Sequence, residues 1–369
     1  MSTRPGLYIH VPFCRTKCPY CDFYSETSVE RVSAWLEAVE REASRRCGEF
    51  GAFDTLYIGG GTPSVLSEGE FEGLLERIRR CCAFEEDTET TVEVNPDDVT
   101  PGKLRHMRDL GVNRLSIGVQ SLDEGELRYL GRRHTAAQAV RAVDAARSAG
   151  FDNLGMDLMY GFEGHTEAVW LRTLERAVGL APEHLSCYQM TLEEGTVFGR
   201  RAAEGLIQPL GEELESRLFL LTSEFLERNG YVHYEISNFA RGLARVSRHN
   251  RKYWHHVSYL GLGPAAHSFR GGVRWWNVRS TERYCDALAG GDLPVEESER
   301  LTEEQIRFEK LFLGLRTREG ADISLLSDAA RREAEALRDS GLIRIEDDRV
   351  VPTLKGWLIA DRLPTILGD

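Results

Sequence analysis

The chain has 369 residues, 41% hydrophobic and 28% charged, enough for one large core and a smaller appended domain. Its formal charge of -13 excludes a general nucleic-acid surface, which needs concentrated Lys and Arg, while leaving room for a local basic pocket. No run approaches the roughly 18 apolar residues of a spanning helix, and the start "MSTRPGLYIH" has neither an apolar signal core nor a small-residue cleavage site; the cytoplasm is the expected compartment.

Residues 6–11 (GLYIHV) read as a short buried strand, and a loop with three cysteines follows. Val32, Trp35, Leu36, Val39 and Ala43 recur at helical spacing and predict a helix over 29–47. The alternation repeats. TLYI (55–58) precedes a Gly-rich loop and a helix near 67–82, and TTVEV (90–94) precedes a helix near 100–110 that stops at Gly111. RLSIGV (114–119) leads into helices ending at Gly150, LGMDLMYG (154–161) into one around 166–180, and HLSCYQM (184–190) is the sixth strand. Parallel strands need crossovers whose helices bury one apolar face, so six such units predict an α/β fold, a partial (β/α)6 TIM-like barrel. Most polar signatures fall at or just after the strand ends, the rim that carries chemistry in barrels.

Residues 206–300 are less regular: a helix at 211–229, then an aromatic, His-bearing stretch expected to complete the barrel begun by residues 1–205. Residues 301–369 read as a small C-terminal α+β winged-helix-like domain, with helices over 302–315 and 328–340, the hairpin LIRIEDDRVVPT and a last helix. With 11 Lys plus Arg against 14 Asp plus Glu, it is a packing or partner domain rather than a DNA reader.

The cysteine loop carries the chemistry. "HVPFCRTKCPYCDF" places Cys14, Cys18 and Cys21 within eight residues. A structural zinc site wants four ligands, usually two CxxC pairs; here there is no second pair, and Cys81 and Cys82 are adjacent on a helix, poor geometry for joining. A four-iron cluster held by three thiolates leaves its fourth iron open, and an amino-carboxylate ligand can chelate that iron. The remaining cysteines, Cys47, Cys81, Cys82, Cys187 and Cys285, are expected to be reduced and buried as small hydrophobes.

CxxxCxxC with Tyr20 before its last Cys resembles the radical S-adenosylmethionine (SAM) superfamily. That resemblance implies a 4Fe-4S cluster on Cys14, Cys18 and Cys21, an electron donor for it, and SAM at the open iron. It further implies SAM contacts at Tyr8, Tyr20, Gly60, Gly61, Thr62 (in GGGTPS, where Gly would let a ligand approach the backbone), Glu93, Gln120, Arg132, Asp157 and Thr191. Taken singly, each polar residue reads first as a salt-bridge or cap residue; together they suit an ammonium, a carboxylate and two ribose hydroxyls.

YIHVPFC, GGGTPS, GVQS, YEISNFA (234–240) and HNRKYW (249–254) resemble the coproporphyrinogen oxidase family, and within it the haem-chaperone branch. Oxidases of that family carry a further Cys two residues after the third, where this chain has Phe23, and an N-terminal extension, whereas this chain starts seven residues before Tyr8. The branch implies haem binding at His249, and delivery to a haem-accepting protein. Tyr253 and Trp254 offer flat faces, and Arg248 and Arg251 could meet propionates. On the residues alone a structural His249 held by hydrogen bonds is the favoured reading, and the resemblance reverses it for His249 only; His255, His256 and His267 stay undecided, and His10 reads as positioning the cluster loop. The rival reading is an oxygen-independent coproporphyrinogen III oxidase that decarboxylates propionates, and a third has the cluster structural and SAM a regulator. An oligomer is possible. Where the family usually has Leu-Pro-Gly-Gln-Thr, this chain has Phe162, Glu163, Gly164, His165 and Thr166; losing the Pro is expected to loosen that loop, and Glu163 to bring a negative charge near the ligand. Pro264 likewise departs from a commoner small residue.

Overall fold

The computed structural model describes residues 3–368. Six strands, β1 (Gly6–Val11), β2 (Phe53–Gly60), β3 (Phe84–Val94), β4 (Arg114–Gln120), β5 (Leu154–Tyr160) and β6 (His184–Gln189), pair in chain order and in parallel. Their crossovers are α1 (Val32–Arg46), α2 (Glu68–Cys81), α3 (Pro101–Asp109), α4 (Glu124–Tyr129) with α5 (Ala136–Ser148), and α6 (Glu167–Gly179). The helix starts are written in the sequence: Ser67 and Thr135 form capping boxes with Glu70 and Gln138, and Thr100 and Thr166 cap α3 and α6. Gly111 and Gly150, both at φ 88°, end the helices before β4 and β5.

β3 starts at Phe84, ahead of the expected residue 90, because FEEDTE is polar and largely outside the core and shows no apolar alternation. The chain then passes through α7 (Val197–Ala203) and α8 (Glu212–Arg228), and the sheet grows at both edges. β7 (Val232–Glu235) and β8 (Asn238–Ala240) form a hairpin whose second strand joins β6 antiparallel. After α9 (Arg248–Trp254), β9 (Tyr259–Leu262) pairs parallel with β1. β10 (His267–Arg270), β11 (Val273–Asn277) and β12 (Val295–Arg300) follow antiparallel, with α10 (Thr281–Gly290) packed on α1, giving a twelve-stranded sheet. Runs of three to six residues are too short to declare a period, so these strands are not legible from pattern alone.

One core runs from Leu7 to Leu288 and buries Trp35, Trp170 and Tyr284 completely. A second core, containing Leu311, Leu315, Ala330, Ile343, Val350 and Leu363, belongs to the C-terminal segment. That segment comprises α11 (Glu303–Gly314), β13 (Ala321–Asp322), α12 (Asp328–Asp339), β14 (Ile343–Glu346), β15 (Arg349–Pro352), α13 (Leu354–Trp357) and α14 (Leu363–Leu367). Asp347 and Asp348, at φ 48° and 59°, turn its hairpin, and the expected single last helix is two, the second starting with Pro364 near its N-terminus.

The cysteines depart from expectation. Cys47 and Cys82, at the C-terminal ends of neighbouring α1 and α2, are joined in a disulfide with a Cα–Cα distance of 5.2 Å, because successive crossover helices of a parallel sheet run the same way and end side by side. Cys187 and Cys285 are buried free thiols, as expected, and Cys81 is half-buried.

Candidate functional site

A cavity of about 890 Å³ runs inside the partial barrel, from the rim where the parallel strands end down to Arg114 and His184, the first residues of β4 and β6. Tyr8, Cys14, Cys18, Tyr20, Cys21, Gly60, Gly61, Thr62, Glu93, Gln120, Arg132, Asp157, Thr191 and His249 all line it. Residues spread over the sequence thus face one space.

The cysteine loop is pinned at its base. Glu26 N–H donates to Pro12 O (2.8 Å) and Cys14 N–H to Glu26 O (3.0 Å), while Phe198 N–H reaches Pro19 O (2.9 Å). His10, beneath the loop, donates from Nε2 to Tyr24 O (2.8 Å) and accepts from the Tyr8 hydroxyl at Nδ1 (3.1 Å). Burial lowers its pKa to about 4, so it is neutral, as those two bonds require. The glycines have a different immediate reason from close ligand approach. A Cβ on Gly61 would lie 2.8 Å from the carbonyl oxygens of Phe13 and Val11, and one on Gly60, at φ 105°, 2.6 Å from the His10 ring. They let the two loops pack. Gly61 and Thr62 N–H donate to Val11 O and Phe13 O, both 2.8 Å.

Thr62 Oγ1 lies 3.2 Å from Cys14 Sγ, and an Arg132 Nη1 lies 3.5 Å from Cys18 Sγ. Arg132 is held by Asn95 Oδ1 (2.6 Å) and Gly118 O (2.8 Å). Burial pushes the Cys14 thiol up and the Cys21 thiol up to about 11, so loading iron must displace protons, and Arg132 favours the charged sulfur. No three of His, Cys, Asp and Glu among the described residues converge on a single ion. A cubane needs no such convergence, since each thiolate takes a separate corner, and the donor set of three thiols with no fourth protein ligand fits it.

Across the cavity stand two half-buried carboxylates. Glu93 accepts from Tyr57 Oη (2.8 Å) and Gly60 N–H (3.2 Å), and Asp157 accepts from Ser116 Oγ (3.1 Å to each oxygen). Burial raises Glu93 to about 7, with Asp157 adding repulsion; burial also raises Asp157. Ligand ammonium and hydroxyl groups relieve that arrangement. Gln120 sits at φ 62° where β4 slips register against β5, a strained backbone that turns its side chain to the cavity. Thr191 follows β6 on the exposed rim.

The HNRKYW stretch lies at the opposite end, as a plug in the floor. Its helix α9 is capped by Ser247, and Glu89 accepts from the Arg248 and His249 N–H groups (2.9 and 3.2 Å). His249 is buried, with Nδ1 2.8 Å from Thr55 Oγ1, Nε2 2.9 Å from Tyr253 Oη, and its ring stacked on Tyr57 at 5.1 Å. Burial lowers its pKa to about 3. Arg248 and Arg251 are not presented to a ligand as expected: Arg248 pairs with Asp54 (3.4 Å) and Asp87 (3.2 Å), and Arg251 with Glu319 (2.5 Å). Lys252 and Asp54 form a buried pair at 2.5 Å. Acidic neighbours contributed by β2, β3 and the C-terminal segment claim these cations.

The loop after β5 also departs from expectation. His165 replaces proline as its fastener, accepting from Gly161 N–H (3.0 Å), facing Glu126 at 3.2 Å and stacking on Phe162 at 4.3 Å. Glu163 is exposed and does not line the cavity. Sequence reasoning missed Arg114, 1% exposed, whose Nε and Nη2 have no hydrogen-bond partner among the described residues, and His184, bonded to Tyr234 Oη at 2.8 Å. Both open a strand, at the floor rather than the rim, where no rule directs attention. No helix among the described residues is long and apolar enough to cross a membrane.

A partial parallel barrel with a three-cysteine loop after its first strand defines the radical SAM class: the family model described as "Radical SAM superfamily" matches residues 8–177, and "HemN C-terminal domain" matches residues 301–359. Coproporphyrinogen III oxidase (HemN) from Escherichia coli shares the fold, with a TM-score of 0.85 at 24% identity over 98% of this chain and 90% of that one. Heme chaperone HemW of Mycobacterium tuberculosis is 35% identical over 98% of this chain and 95% of its own length. Heme chaperone HemW of Bacillus subtilis is 34% identical over 96% and 97%. The chain belongs to the HemW heme-chaperone family of radical SAM proteins.

Proposed function

We propose that this is a cytoplasmic radical SAM haem chaperone, which holds a 4Fe-4S cluster on Cys14, Cys18 and Cys21, binds SAM beside it, takes up haem and delivers it to an acceptor protein. The observation that carries the reading is the convergence of three thiols, Arg132, and the carboxylates of Glu93 and Asp157 on one cavity. When bound, the cluster supplies an electron able to cleave the sulfonium of SAM. The chain's own residues do the rest. Arg132 suits a carboxylate, Glu93 and Thr62 an ammonium, and Asp157 and Gln120 ribose hydroxyls. His249 is the haem candidate of the sequence motif; in this conformation both ring nitrogens are engaged, by Thr55 and Tyr253, so it reaches iron by giving up one of those bonds. The relatives named heme chaperones support haem as the cargo.

Anaerobic reconstitution with iron and sulfide, followed by iron analysis, SAM binding and haem titration, tests the reading. The expected result is a cluster-bearing protein that binds SAM and one haem, and that leaves coproporphyrinogen unchanged under reductant. Sustained decarboxylation of coproporphyrinogen overturns it in favour of the oxidase; a single tight zinc with no SAM binding overturns both.

A further inference from the structure

We propose that the floor of the cavity is a carboxylate site, in which Arg114, with His184 beside it, receives a propionate of the bound tetrapyrrole. The inference rests on the haem reading above and deepens it, by naming the side chain that recognises the ring's periphery rather than its metal.

Strand alternation sets the floor. Side chains two apart on a strand share a face, so Arg114 points inward with Ser116 and Gln120, while Leu115 and Ile117 join the core beneath the helices. The guanidinium is 1% exposed, its Nε and Nη2 have no hydrogen-bond partner, and no carboxylate stands within ion-pair distance of it among the described residues. The acids around it are already spent: Glu89 accepts from the N–H groups of Arg248 and His249, and Asp157 from Ser116 Oγ. Nε and Nη2 form one edge of the guanidinium, the fork that grips a carboxylate through two parallel bonds. A buried cation with nothing to bond is costly, and an arriving anion removes that cost.

A second unspent group stands nearby. His184 opens β6, with Tyr234 Oη at 2.8 Å from Nε2 and no partner for the buried Nδ1. Gly155 of β5 pairs with Ser116 on one side and His184 on the other. A Cβ on Gly155 would meet Ser116 Oγ at 3.4 Å and His184 Nδ1 at 3.5 Å, ordinary contacts, so the glycine relieves no clash and leaves open space between β4 and the unspent nitrogen.

The spacing selects the ligand. Arg132, assigned above to the carboxylate of SAM, bonds to Gly118 O, four residues along β4 from Arg114, about 13 Å away at the rise of a strand. One amino-acid carboxylate does not serve both. In the other direction, the His249 ring stacks on Tyr57, whose strand neighbour is Thr91, and Thr91 pairs with Arg114. Two strand spacings, about 10 Å along the wall, then separate the α9 motif from the guanidinium. That suits a ring whose metal lies at its centre and whose carboxylate arms hang from its edge. Tyr8 and Tyr57, 6.2 Å apart, wall the interval with flat faces.

Titration of the full chain with haem and with haem dimethyl ester, followed by absorption, tests the site, with SAM binding measured in parallel. Wild type is expected to prefer the free acid by about tenfold or more. Arg114→Met, which keeps the length of the side chain without its charge, is expected to lose most of that preference, to bind SAM as wild type does, and to unfold in urea at an unchanged or higher midpoint, because the cation it removes has no partner in the fold. Equal wild-type affinity for acid and ester, or a preference retained in Arg114→Met, overturns the inference and leaves the haem reading standing. A urea midpoint that falls sharply in Arg114→Met, or a loss of SAM binding with the preference intact, overturns it likewise by giving the guanidinium another role. A wild-type protein that takes up neither compound overturns the haem reading as well.

Discussion

Glu93 ties the ligand reading to a number. The carboxyl is half-buried in the cavity wall, desolvation and the facing Asp157 carboxylate raise its pKa to about 7, and Tyr57 and Gly60 only partly offset them. In the ligand-free protein it therefore keeps its proton below about pH 7 and is ionised above. An ammonium pairs with the ionised form, so binding in acid must expel the proton. Linkage then makes affinity rise about tenfold per pH unit below 7, about 1.4 kcal/mol each, and level off above. Between pH 8 and pH 6 the dissociation constant for SAM is expected to grow about tenfold. Glu93→Gln keeps the shape without the charge; it should flatten the profile near the wild type's acid limit. Equilibrium dialysis of labelled SAM against the anaerobically reconstituted protein measures both. A wild-type constant varying by less than about twofold over that range, or an unchanged slope in the variant, refutes the assignment.

Glu42 accepts from Tyr284 Oη (2.5 Å), Asn277 Nδ2 and Gly263 N–H, so Glu42→Ala strands three buried donors and should cost about 3–5 kcal/mol in urea unfolding; a loss under about 1 kcal/mol contradicts the network. Burial raises the same carboxyl to about 7 from 4.5, so its contribution to stability falls as pH rises between those values; the wild-type melting point is expected to drop across that window more than that of Glu42→Ala, and an equal or opposite change contradicts the sign. Lys252→Met leaves Asp54 with Arg248 at 3.4 Å, and a destabilisation of about 3 kcal/mol is expected; an unshifted urea midpoint argues that the pair is dispensable. Denatured but unreduced protein should accept iodoacetamide on the six free cysteines only, and reduction should cost about 3–4 kcal/mol for a loop closed across 35 residues. Eight labelled thiols without reductant would show Cys47 and Cys82 to be unpaired.

Much of the rim was legible in the sequence because its chemistry is local. Cys14, Cys18 and Cys21 lie in one loop, and Glu93 and Gln120 at strand ends and Asp157 within β5 are placed by the βα alternation that their own flanking segments declare. The parallel order of β1 to β6 follows from the same alternation, since each crossover helix must bury one face against the sheet. What depends on partners far along the chain could not be read this way. Cys47 and Cys82 pair because α1 and α2 end side by side; Arg248, Arg251 and Lys252 are engaged by Asp87, Glu319 and Asp54, three acids contributed by three different elements. His249 and Arg114 are equally silent in the sequence about their partners. Tertiary structure separates them, because only the packed chain determines that Thr55 and Tyr253 engage both nitrogens of the first and that no hydrogen bond meets Nε or Nη2 of the second. Residue type and local spacing thus determined which groups could do chemistry, while burial and long-range hydrogen bonding decided which remain free to do it.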